Sequence, residues 1–175
     1  MKKLMIASAI AMVMTAGSAM AAVQQGSQGE VQFIGTVAAK TCDVIVSGDG
    51  ATSNQVKFGV VNTSETADKD FKISLKDPSC ISGATKATFV WSSPVLSDTG
   101  IKNQSGTATE AYVELKPKSG GSNAPTRNDA VTAQNNSVEF AVSQAEMGFD
   151  YQATLHAESV PGDFVTAAAY TVVYE

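Results

Sequence analysis

The stretch Gly162-Asp-Phe-Val-Thr-Ala-Ala-Ala-Tyr-Thr-Val-Val-Tyr-Glu175 closes the chain and decides its fold. Phe164, Thr166, Ala168, Tyr170, Val172 and Tyr174 fall on alternate positions, and a period of two puts them on one face of a β-strand. Pro161-Gly162-Asp163 supplies the turn that starts it. A strand this apolar is a hazard on an open edge, because unpaired N–H and C=O groups there recruit another chain. The segment therefore lies inside a sheet or is covered by a partner strand.

Working back from this end, the same alternation recurs. Phe149, Tyr151, Ala153 and Leu155 share one side of a strand, as do Phe71, Ile73 and Leu75. Cys42-Asp-Val-Ile-Val, Val56-Lys-Phe-Gly-Val-Val, Lys86-Ala-Thr-Phe-Val-Trp, Ala111-Tyr-Val-Glu-Leu-Lys and Ser137-Val-Glu-Phe-Ala-Val read as further strands. Pro94 and Pro117 limit two of them, since proline cannot donate to a ladder. Trp91 is assigned to the core because of the area it buries. Residues 100–109 and 118–136 read as polar loops facing outward. The count is seven to nine short strands with Gly, Pro, Asn and Ser between them, and at most one helical turn within 141–147. That series predicts an all-β antiparallel sandwich or barrel.

The other end is a targeting segment. Lys2 and Lys3 precede an apolar run from Leu4 to Ala16, too short for the roughly 20 residues that span a bilayer. Ala19 and Ala21 occupy the −3 and −1 positions of a signal-peptide site, so cleavage is expected before Ala22. Removing 1–21 leaves 154 of the 175 residues, one domain's length, with ten basic and 17 acidic side chains and a formal charge of −7. This acidity argues against nucleic acid or an anionic membrane as a partner. In an exported chain the two cysteines, Cys42 and Cys80, read as a disulfide. Closing a loop of about 39 residues contributes about 4 kcal/mol on the chain-entropy account.

No constellation of catalytic or metal-binding residues emerges. The single histidine, His156, falls on the face of its strand opposite Tyr151 and Leu155 and is expected at the solvated surface. There is no Gly-x-Ser-x-Gly turn and no phosphate-cradling glycine loop. Glu65, Asp68 and Asp70 lack calcium-loop spacing and read as a solvated strand edge. One histidine and two cysteines without Cys-x-x-Cys spacing do not make a zinc site. The chain is expected to be no enzyme and to carry no metal or cofactor.

The N-terminal extension, 22–30, is polar and rich in Gln and Gly, and it runs into Val31 and Phe33. When extended, Val23, Gln25, Ser27, Gly29, Val31 and Phe33 share a side. Such a segment suits strand addition, where main-chain bonds give affinity and side-chain pockets give specificity.

Together these features resemble the structural subunits of chaperone–usher fimbriae, most closely type 1-like major pilins. The matching residues are Gly29-Glu-Val-Gln-Phe-Ile-Gly-Thr-Val37, Cys42 and Cys80, Phe71-Lys-Ile-Ser-Leu, Phe149-Asp-Tyr-Gln-Ala-Thr-Leu, and the C-terminal run with Gly162 and the penultimate Tyr174. The resemblance implies an incomplete immunoglobulin-like β-sandwich over 31–175, lacking its final strand and completed by donor-strand exchange. It implies a donor strand from Val23 to Phe33, with Gly29 at a shallow pocket and Val31 and Phe33 as anchors. It implies an acceptor groove at Gly162, Phe164, Ala168, Tyr170, Val172 and Tyr174, with Glu175 as the anchor for a cationic group of the chaperone. Its partners would be neighbouring pilin subunits, a periplasmic chaperone, an outer-membrane usher and a host-cell receptor, and its place the cell surface after export through the periplasm.

Two other classes compete. A small outer-membrane β-barrel needs roughly ten-residue lipid-facing strands with aromatic girdles, whereas aromatics are 7% here and the chain ends in Glu175. A secreted lectin-like sandwich needs an aromatic and polar pocket, and Trp91 is the sole tryptophan.

Overall fold

The computed structural model describes residues 42–49, 51, 52 and 54–175. The signal segment 1–21, the extension 22–30 and the donor residues Val31 and Phe33 lie outside the described residues.

The strands in chain order are β1 (Val44–Gly48), β2 (Ala51–Thr52), β3 (Gln55–Val56), β4 (Thr66–Leu75), β5 (Lys86–Ser92), β6 (Ile101–Lys102), β7 (Tyr112–Pro117), β8 (Ser137–Ala141), β9 (Phe149–His156) and β10 (Ala169–Tyr174). Every pairing among them is antiparallel. One sheet runs β1-β4-β9-β7-β6, a second runs β10-β5-β8, and β2 and β3 form a small hairpin. The two larger sheets form the sandwich of an incomplete immunoglobulin-like fold, and no α-helix occurs among the described residues.

The alternation read from the sequence is what closes the sandwich. Phe71 and Ile73 on β4, Val113 and Leu115 on β7, and Phe149, Tyr151, Ala153 and Leu155 on β9 turn inward from the larger sheet. Ala87, Phe89 and Trp91 on β5 and Val138 and Phe140 on β8 meet them from the smaller one. Phe89 is fully buried, and its ring lies 4.9 Å from Phe149, 5.8 Å from Phe140 and 5.8 Å from Tyr151. Burying a phenylalanine contributes about 1.5–3 kcal/mol, and each well-placed aromatic pair about 0.5–1.5 kcal/mol more. The Trp91 indole N–H donates to the Tyr151 hydroxyl at 3.4 Å, so the phenol keeps one partner inside the core. Burial drives the Tyr151 pKa far up, with the Trp91 bond opposing it.

Cys42 and Cys80 are bridged, as the sequence predicts, with their Cα atoms 5.8 Å apart. The bridge ties the start of β1 to a 3-10 turn, Pro78–Ile81, that follows β4. Asp77 caps that turn by accepting from the Ser79 N–H at 3.0 Å.

Two expectations change and one, the helical turn, is met. The strand expected over 56–61 shrinks to Gln55–Val56, and Val60 stands 99% exposed beyond it, because Gly59 at φ +77° turns the chain out of the ladder. The turn expected within 141–147 is a single 3-10 turn, Ala145–Met147. The segments 100–109 and 118–136 are only partly outward-facing. Ile101 forms β6 and is buried, and Ala108 is also buried. Asn123, 1% exposed, donates through Nδ2 to the carbonyls of Gln144 at 2.9 Å and Gly148 at 2.8 Å. Its Oδ1 accepts from the N–H groups of Ser143 at 2.9 Å and Gln144 at 3.0 Å. Val131 fills the core, and its N–H donates to the Leu115 carbonyl at 2.8 Å. A buried amide fully satisfied in this way specifies one conformation at little net cost. These segments therefore seal the sandwich.

Replacing both bridge cysteines, Cys42→Ala with Cys80→Ala, is expected to lower stability by about 2–5 kcal/mol. Urea titration followed through the fluorescence of Trp91 measures it, and an unchanged midpoint would contradict the assigned role.

Candidate strand-acceptor edge

The margin that the sequence predicts to be a strand acceptor is at β10. It pairs with β5 from Ala169 opposite Ser92 to Tyr174 opposite Ala87. Just beyond, Glu175 and Lys86 exchange both backbone hydrogen bonds, each at 2.9 Å. Antiparallel ladders alternate, so Val173 and Thr171 also direct their backbone groups at β5. The N–H and C=O groups of Tyr170, Val172 and Tyr174 then face the other way. On that side no strand pairs with β10 among the described residues.

The side chains along this edge are apolar and only half-covered. Phe164, Ala168, Tyr170, Val172 and Tyr174 pack against the core and remain partly exposed. The Tyr170 ring lies 5.7 Å from Phe89 and 5.0 Å from Trp91, and Tyr174 lies 6.4 Å from Phe149. Burial raises the pKa of both phenols, that of Tyr174 to about 12. The Tyr174 hydroxyl is buried yet has no hydrogen-bond partner.

The opposite margin of the same sheet is shielded. Pro125 bridges to Phe140 on β8, the Ala141 N–H donates to the Ala124 carbonyl at 2.8 Å, and the Thr126 N–H donates to the Glu139 carbonyl at 2.8 Å. Proline suits this position, since its missing N–H has nowhere to point.

The chain terminus is held in place. The Glu175 carbonyl accepts from the N–H groups of Thr85 at 2.6 Å and Lys86 at 2.9 Å. The Lys86 ammonium reaches the carboxylates of Glu175 at 2.7 Å and Glu139 at 3.4 Å. These partners, Glu175 first, hold the Lys86 pKa above its usual value.

No family model matches the chain. Over 180 aligned positions it is 38% identical to the F107 fimbrial protein of Escherichia coli, with the whole of both chains covered. The chain belongs to the fimbrial proteins. It is a structural subunit of a fimbria, a cell-surface appendage. That membership accords with the expectation that it is not an enzyme.

In this fimbrial subunit the predicted acceptor residues come together only in part. Tyr170, Val172 and Tyr174 line the β10 edge as the alternation requires. The strand expected over 164–174 begins only at Ala169, because its partner β5 ends at Ser92, before Pro94. Residues 163–168 turn instead to the segment around Asn103. The Val165 carbonyl accepts from the N–H groups of Gln104 at 2.9 Å and Ser105 at 3.1 Å, and the Val165 N–H donates to Asn103 Oδ1 at 3.0 Å. Gly162 marks the turn before this segment at φ +150°, where a Cβ would collide with the Thr107 hydroxyl. Phe89, Trp91 and Phe149, which floor the edge, were legible in the sequence as core alternation but not as part of the site.

His156 lies on the outer face of β9, opposite Tyr151 and Leu155 as its position predicts, and is half-exposed there. Its ring stacks on Tyr112 at 4.5 Å with 4° between planes, and its Nε2 is buried without a hydrogen-bond partner. The two residues sit directly opposite each other on β9 and β7, so the stack is a cross-strand pair on the outer face.

The raised phenols give a pH signature. A tyrosine whose pKa is raised on folding stabilises fully below its unfolded value near 10, and that contribution is lost as pH rises through the folded value. Stability is therefore expected to fall between pH 10 and pH 12, with Tyr174→Phe flattening the slope and Tyr151, Tyr170 and Tyr112, whose phenols burial also raises, supplying the remainder. Denaturation midpoints across this range measure it, and an identical slope in Tyr174→Phe would contradict it.

Proposed function

We propose that this subunit polymerises by donor-strand exchange, each molecule accepting the N-terminal extension of the next along β10. The observation that carries this reading is the combination at one edge: the outward-directed backbone groups of Tyr170, Val172 and Tyr174 above a half-covered aromatic floor. A ladder of backbone bonds contributes about 1 kcal/mol per bond, and each large apolar side chain buried adds about 1.5–3 kcal/mol. The donor would be Val23, Gln25, Ser27, Gly29, Val31 and Phe33, freed when cleavage before Ala22 removes the signal segment. Because donor and groove are different surfaces, the contact is heterologous and repeats into an open filament.

An edge of this kind invites aggregation before assembly. A periplasmic chaperone would cover it with a strand of its own during export, and an outer-membrane usher would exchange that strand for the next subunit's extension. Phe164, Ala168, Tyr170, Val172 and Tyr174 would receive both strands in turn. The pinned Glu175 terminus offers a fixed anion to a cationic group of the chaperone, a charge-assisted contact. Adhesion to host cells would fall to the exposed parts of the loops, such as Asn128 and Asp129, which the core does not claim.

Deleting residues 22–29 is expected to leave a folded, exported, chaperone-bound subunit that forms no fibres. Electron microscopy and unboiled detergent gels test this, and normal fibres from the deletion would overturn the donor assignment.

A further inference from the structure

We propose that Asn103 is a positioning residue for assembly: it holds residues 163–166 on the margin of the larger sheet and so sets the start of the β10 edge before a partner strand arrives. This rests on the donor-strand reading above and adds which residue, outside β10 and distant from it in sequence, keeps that edge in shape.

The ladder with β5 secures one end of β10 better than the other. At Glu175 the backbone bonds to Thr85 and Lys86 extend the pairing past the strand itself. At Ala169 the pairing stops with Ser92, and beyond that pair the Ser93 hydroxyl donates to the Ala167 carbonyl at 2.7 Å. From there the chain runs beside β6, the margin strand of the larger sheet. The ladder of β6 with β7 continues through the Asn103 N–H, which donates to the Ala111 carbonyl at 3.1 Å. Residues 163–166 lie against this margin. The Thr166 hydroxyl donates to the Lys102 carbonyl at 2.8 Å, and the Val165 carbonyl takes the N–H groups of Gln104 and Ser105. Phe164 and Ala168, which pack on the core, ride on the crossing between the sheets.

Asn103 joins the two sides of this seam. Its Oδ1 accepts from the Val165 N–H at 3.0 Å, where a neighbouring strand would have offered a carbonyl. Its Nδ2 donates to the Asp163 carbonyl at 3.1 Å and to the Ala108 carbonyl at 2.9 Å, so it fixes the crossing segment and its own loop at once. A primary amide suits the task because it donates twice and accepts on one short side chain. A second residue of the same loop serves the same crossing. A Cβ on Gly106 would collide with the Asp163 carbonyl, a backbone group that cannot swing aside. The seam lies at the surface, with Val165 55% exposed, so it can open locally while the core stays folded. Holding it shut spares the cost of ordering the edge when a strand adds, and preorganisation of this kind is felt mainly as slower dissociation.

Three variants of the full chain, assembled into fibres in cells, test this. Asn103→Ala removes the bonds. Asn103→Asp keeps the volume and the bond from Val165 but sets an anionic oxygen against two carbonyls. Gly106→Ala wedges the seam from the other side. In each, amide hydrogen exchange over 102–108 and 162–168 should quicken while exchange over β9 does not change. Each should also dissociate faster in guanidinium than Ile73→Val fibres, a core reference compared at equal loss of urea midpoint. Both effects should be roughly three- to tenfold, the worth of one hydrogen bond. Quickened exchange with dissociation no faster than the reference overturns the positioning role. Unchanged exchange, or wild-type behaviour of Asn103→Asp, overturns the bonds assigned to Asn103. Failure of the donor-strand reading would show separately, as normal fibres after deletion of residues 22–29, and the exchange measurement would then still decide whether Asn103 holds the crossing.

Discussion

A β-strand offers hydrogen-bonding groups to two sides, and among the described residues β10 uses only the side facing β5. The rest of the molecule is organised around that asymmetry. Glu175 and Lys86 lock the strand's far end through a pair of backbone bonds and a side-chain ion pair, so the edge is presented in one position. Phe89, Trp91 and Phe149 give it a rigid aromatic floor. Close packing beneath the edge means that its shape is set before any partner arrives.

On the donor-strand reading, the stability of the domain and its capacity to assemble draw on the same residues. Tyr170 and Tyr174 are built into the core contacts of the sandwich, yet their outer flanks are bare. A fully covered β10 would make a quieter monomer with nothing left to bind. The disulfide helps to reconcile these demands: it fastens the opposite sheet at Cys42 and Cys80, away from β10, so the domain need not rely on the exposed margin to stay folded.

Much of this was legible in the sequence because the period-two signal is strong where one face is buried. Phe71, Ile73, Phe149 and Tyr151 each appear inside, as their spacing requires. The bridge followed from export and an even cysteine count. Less visible were features that depend on a partner distant in sequence. The break at residue 168 is caused by where β5 stops, which β10's own residues do not record. Asn123 and Val131 lie in stretches with loop composition, and only the three-dimensional ends of β7, β8 and β9 explain why they are buried. The stacking of His156 on Tyr112 likewise needs the pairing of β7 with β9, since the two are 44 residues apart in sequence.

The strip at residues 124–126 carries a consequence for the shape of what is built. By capping β8 with a proline-containing segment, it leaves the three-stranded sheet one unpaired margin among the described residues. On the donor-strand reading, a building block with one socket on that sheet would extend end to end and would not fork there. Thread-like growth would then depend in part on a proline on the far side of the sheet from the proposed joint.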